Sequence, residues 1–148
     1  MNIAEQIRDI ILLIMLALCS LTDIRYRRLY LPALLFPVPG LLLCAGMVGH
    51  PVFFLIVQGI ATWRIFAWIS RVTGEQIGRG DAVLFGVTGV GLGLWSNLAL
   101  LCISFFYAFL LAVILVVCCK AGKKQRIPLA PVVLAAFITG ILAEYGFV

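Results

Sequence analysis

Six apolar stretches, at about 4–22, 29–49, 52–70, 82–95, 97–119 and 127–147, follow one another with only short polar or Gly/Pro punctuation between them. A chain built this way has no polar surface with which a soluble domain could cover itself. Hydrophobic residues make up 64% of it and charged residues 11%, against roughly 45–50% and roughly 25% in a soluble domain. The mean hydropathy of +1.19 over the whole length means that the apolar surplus belongs to nearly every segment. At about 20 residues per spanning helix, 148 residues hold at most about seven spans and no separate domain. The expectation is one all-α polytopic membrane bundle over residues 1–148, with about six transmembrane helices and any chemistry in the membrane or at its faces.

The fourth stretch, Ala82 to Trp95, is short for a span and contains Gly86, Gly89, Gly91 and Gly93. The Gly89-x-x-x-Gly93 spacing lets a neighbouring backbone approach closely, which predicts a buried helix. The first stretch is not a cleaved signal peptide: Glu5, Arg8 and Asp9 give its front end no positive bias, and no small-x-small site follows. Leu16-Ala17-Leu18-Cys19 carries a large Leu directly before the Cys, which is wrong for lipoprotein processing. The five cysteines, Cys19, Cys44, Cys102, Cys118 and Cys119, lie in or at the ends of apolar runs with no CxxC pair and one histidine in the chain. They read as packing residues, supporting neither a metal site nor a disulfide framework.

A net charge of +5 would suggest nucleic acid in a soluble protein; here the positions of the charges give a topology instead. Under six spans, the loops after the first, third and fifth hold Arg25, Arg27, Arg28, Arg71, Arg79, Lys120, Lys123, Lys124 and Arg126, nine of the eleven basic residues. Those loops are expected in the cytoplasm and both termini on the outer side. Arg64 falls inside the third stretch, six residues before Ser70, within about 9 Å of the interface, and reads as a snorkelling side chain. Glu144 and His50 read as interfacial, and Trp63, Trp68 and Trp95 as belt and packing residues.

Three of the six acids, Asp23, Glu75 and Asp81, fall on the basic face. Asp23 closes the first apolar run and Asp81 directly precedes the fourth; 58 positions apart in sequence, they sit at one depth. Two carboxylates brought together there cannot both ionise easily, so one can act as base and the other as acid to activate water against a peptide carbonyl. The competing account makes each a solvated or capping residue, since a carboxylate at a helix start is favourable in itself. Glu75 reads as a solvated loop acid, with contact to a basic peptide on that face as the other possibility.

Gly78-Arg79-Gly80-Asp81 matches the GxGD motif of polytopic membrane aspartyl proteases. The order of features resembles the type IV prepilin peptidase family: an Asp followed by a basic run (Asp23-Ile-Arg-Tyr-Arg-Arg-Leu), then GxGD, then a basic loop and a Pro-x-x-Pro helix start (Arg126-Ile-Pro-Leu-Ala-Pro131). The resemblance covers essentially the whole chain. It implies a six-helix protease core in the bacterial inner membrane, with Asp23 and Asp81 as the catalytic dyad, no metal or cofactor, and prepilins or pseudopilins as substrates, the oligomeric state and substrate-binding residues being left open. Gly78 and Gly80 would support the motif by taking positive φ or by admitting the substrate backbone. No paired CxxC region precedes the first helix, so the chain looks like the short, peptidase-only form and is expected not to methylate.

The chain departs from the family pattern at two places. Leu29-Tyr30-Leu31 stands where Ile-Pro-Asn is common, and Val83 stands where a Lys often follows GxGD. Loss of a cation near Asp81 removes a contribution that favours a carboxylate. These departures, with Arg64, are what a non-catalytic alternative rests on: a transporter-like or assembly subunit, or an inactive peptidase relative.

Overall fold

The computed structural model describes residues 3–26, 31–72, 78–119 and 129–146. They form the helices α1 (Ile3–Tyr26), α2 (Leu31–Leu35), α3 (Val38–Val48), α4 (Val52–Val72), α5 (Arg79–Cys119) and α6 (Ala130–Gly146). Among the described residues, three segments are long and apolar enough to cross a membrane: Leu31–Val48, Val52–Val72 and Gly80–Val117. The chain is an all-helical, multi-pass membrane protein. Its surface carries large apolar side chains such as Phe36, Met47, Phe53 and Trp95, while Asp9, Thr62, Ser70, Thr88, Asn97 and Ser104 are buried. That distribution fits a solvent of lipid tails, in which polar groups must find partners inside the bundle.

The stretch expected as one helix over 29–49 is interrupted. Pro37 and Pro39 supply no amide for the bonds that would continue α2 into α3, so the chain turns at Phe36-Pro37 before α3 begins. The fourth and fifth stretches, in contrast, are joined in α5 without a loop and broken at Gly93 (φ 77°, ψ 176°), three residues earlier than the predicted boundary. That backbone conformation is costly for any residue with a Cβ. Beyond it the chain reverses. In a straight helix Phe85 and Phe105 would stand about 30 Å apart, yet their ring centroids are 6.2 Å apart. The two arms of α5 are therefore antiparallel.

Asn97 fastens this hairpin. Thr88 Oγ1 donates to Asn97 Oδ1 at 2.8 Å, and Asn97 Nδ2 donates to the Phe85 carbonyl at 3.3 Å, all in the buried interior. Replacing Asn97 by Leu removes both bonds between the arms, leaving the Thr88 hydroxyl only the Phe85 carbonyl of its own helix at 3.2 Å, and at about 0.5–1.5 kcal/mol per bond is expected to cost about 1–3 kcal/mol, seen as a lowered thermal midpoint of the detergent-solubilised protein.

The first arm is the centre of the bundle, with Ala82 and Leu84 to Gly91 all buried. Its buried character follows the sequence expectation, although the close backbone approach uses a different register. On α4 the buried residues Gly59, Thr62, Phe66 and Ser70 recur at helical spacing and face α5. A Cβ on Gly59 would stand 2.8 Å from the Gly86 carbonyl oxygen, and one on Gly86 would stand 2.9 Å from Trp63 Cβ. The seam is Gly59 against Gly86 and Gly89, whereas Gly93 makes the turn. Phe66, Phe85 and Phe105 then join α4 to both arms, with centroids 5.1–6.3 Å apart.

Candidate active site

Periodicity decides where the two aspartates point. On α1 the residues Leu12, Met15, Leu16 and Cys19 are buried along one stripe, and Asp23 is the next position on it, four residues after Cys19. The helix does not stop at Asp23 but runs one turn further to Tyr26, so Asp23 is held by helix on both sides. On α5, Asp81 shares a face with Leu84, Phe85 and Thr88, which are fully buried. Both carboxylates are thus carried inward at the same end of the bundle, where α1 finishes and α5 begins. They are close enough for their charges to interact directly, and Asp23 acts in the same way on the neighbouring Cys19 thiol.

Each carboxylate also meets the amide end of a helix. Gly78 is the residue before α5, and its carbonyl accepts from the Asp81 and Ala82 amides at 3.1 and 3.4 Å. The Asp81 carboxylate returns to the Gly78 amide. This is one half of a capping box, the acid at the third helical position reaching back to the cap amide, while the cap answers with its backbone carbonyl in place of a side chain. A Cβ on Gly78 would stand 3.0 Å from Asp81 Oδ2, so the missing side chain makes room for the carboxylate. Among the described residues the glycines with positive φ are Gly49 and Gly93. Gly78 serves through space and not through a left-handed backbone, and Gly80 lies in the first turn of α5.

Asp23 is bonded across the length of the chain. Its Oδ2 accepts the backbone N–H of Ala130 at 3.2 Å, the first residue of α6. Pro131 has no amide to offer, which concentrates the donor capacity of this helix end on Ala130. Val83, at the position where a cation was expected, is half-buried. Partial positive charge at the two aspartates comes instead from the starts of α5 and α6. The Ala130 amide was not foreseen from sequence. A backbone donor has no residue signature, and Pro131 was the available sign that a helix starts there. Glu75 and the basic residues Arg27, Arg28, Lys120, Lys123, Lys124 and Arg126 lie outside the described residues.

The arrangement can do acid–base chemistry at a membrane face: two interacting carboxylates, oriented by backbone donors, can share a proton and polarise a water between them. Residues 10–118, which include both aspartates and GxGD, match the model of the type IV leader peptidase family. Neither the curated proteins nor the solved structures give a match.

Proposed function

We propose, on the premise that this chain belongs to the type IV leader peptidase family, that it is a membrane aspartyl endopeptidase removing the basic leader from prepilins or pseudopilins at the cytoplasmic face of the inner membrane. The observation that carries this reading is the meeting of Asp23 and Asp81, from helices far apart in sequence, at one end of the bundle. One carboxylate takes a proton from a water as it attacks the scissile carbonyl, and the other gives a proton to the leaving amine. The Gly78 and Ala130 amides keep the two carboxylates oriented through the cycle. The reaction passes through no covalent intermediate and calls on no metal. Cleavage of a co-expressed prepilin in membranes tests the assignment, with each aspartate replaced in turn.

The same reading has six spans with both termini outside. The ends of α1 and α4 and the start of α5 share one face of the bundle, and the sequence gathers its basic residues there. Reporter fusions after Arg28 and after Lys124 are expected to report cytoplasm. A periplasmic signal at either position contradicts the topology.

A further inference from the structure

The side of α4 that faces away from α5 carries a different chemistry. Opposite the buried Gly59, Thr62, Phe66 and Ser70 stand Arg64, Trp68 and Arg71, all exposed. Arg64 and Arg71 are seven residues apart, about 10 Å along the axis, and only about 20° apart around it. Trp68 lies between them on the same stripe. The stripe belongs to the span Val52–Val72, and among the described residues the ion pair formed is Arg8–Asp9, at the other end of the bundle. Arg64 therefore reaches no carboxylate there while sitting inside a membrane segment, an expensive place for a guanidinium. The nearer end of α4 is the Arg71 end, about 12 Å away along the axis, and a guanidinium that snorkels out of the hydrocarbon moves toward it, past Trp68.

We propose that Arg64 and Arg71 together bind the phosphate of an anionic phospholipid in the leaflet on the Asp81 side of the membrane. Charge and geometry support that occupant. Two guanidinium forks on one narrow stripe suit phosphate oxygens, and Asp23 and Asp81 point into the bundle, away from the stripe. A zwitterionic headgroup brings an ammonium against the same two cations and is disfavoured. The site is independent of the peptidase assignment, since it uses neither aspartate.

The test is lipid retention. The full chain is reconstituted in vesicles of equal parts phosphatidylethanolamine and phosphatidylglycerol, extracted in mild detergent, and its bound lipids are identified by native mass spectrometry. The wild type is expected to keep phosphatidylglycerol over phosphatidylethanolamine. Arg64→Gln and Arg71→Gln each lower that retention by about fivefold. Arg25→Gln, which removes an exposed cation at the end of α1, leaves it unchanged. Equal retention of the two lipids by the wild type overturns the proposal, and so does an equal loss in the Arg25 variant. Arg71 lies at the end of its helix, so its variant supplies the readout should Arg64→Gln fail to insert.

Discussion

Asp81→Asn and Asp23→Asn are each expected to lower prepilin cleavage by about 10²–10⁴-fold, the usual contribution of a positioned acid or base, while the protein still inserts and melts near the wild-type temperature. Asn is the informative replacement because it separates two roles that Asp fills at once. Its amide oxygen can still accept the Gly78 amide at position 81 and the Ala130 amide at position 23, the bonds seen for the carboxylates. What Asn lacks is the charge and the exchangeable proton of a carboxyl group. Asp→Ala removes the caps as well and adds a stability loss of about 1 kcal/mol, which blurs the result. Processing is read as the ratio of mature to precursor pilin in membranes, at matched enzyme levels. Wild-type processing by either Asn variant would show that the aspartates are structural caps and nothing more.

The largest effect on stability is expected at the contact between α4 and the first arm of α5. Gly59→Val places a branched side chain where a single Cβ already stands 2.8 Å from the Gly86 carbonyl oxygen. That oxygen is part of a helical backbone buried at the centre of the bundle, so it cannot swing aside as a side chain would. Overpacking of a close-packed interior costs about 1–3 kcal/mol, and the rigidity of the neighbour puts this case at or above about 3 kcal/mol. Ala61→Val, two residues along the same helix but exposed, is expected to stay within about 0.5 kcal/mol of wild type. Thermal unfolding of the two variants in detergent, side by side, checks the contrast. Because Asp81 rides on the arm that Gly59 touches, Gly59→Val is also expected to lower prepilin cleavage in the molecules that remain folded.

Much of this architecture is legible in the amino-acid sequence. The apolar stretches located the helices, and the scarcity of charge singled out Asp23 and Asp81. The shortness and glycine content of Ala82–Trp95 marked a buried central helix. These features are written in side chains and their period, which local physics reads directly. What was missed depends on partners distant in sequence. Spacing alone pairs Gly89 with Gly93, but a close approach needs a second helix, and only packing reveals that Gly59 provides it and that Gly93 is spent on the chain reversal. The prolines at 37 and 39 were visible, yet the length of the surrounding apolar run outweighed them. Val83 looked like a lost support for Asp81. The helix starts that surround the pair could not be seen in residue types, because their charge resides in the backbone.

The bond between Asp23 and the Ala130 amide has a consequence for the order in which this protein is made. Asp23 leaves the ribosome with the first helix and Asp81 with the fourth apolar stretch, but the donor that orients Asp23 is synthesised 107 residues after it. A chain arrested after Cys119 carries both acids and every glycine of the motif, and still lacks the group that fixes one of the two. That bond arrives with the last helix, so a nascent chain partly threaded into the membrane holds its two carboxylates without the clasp that orients Asp23 in the finished bundle.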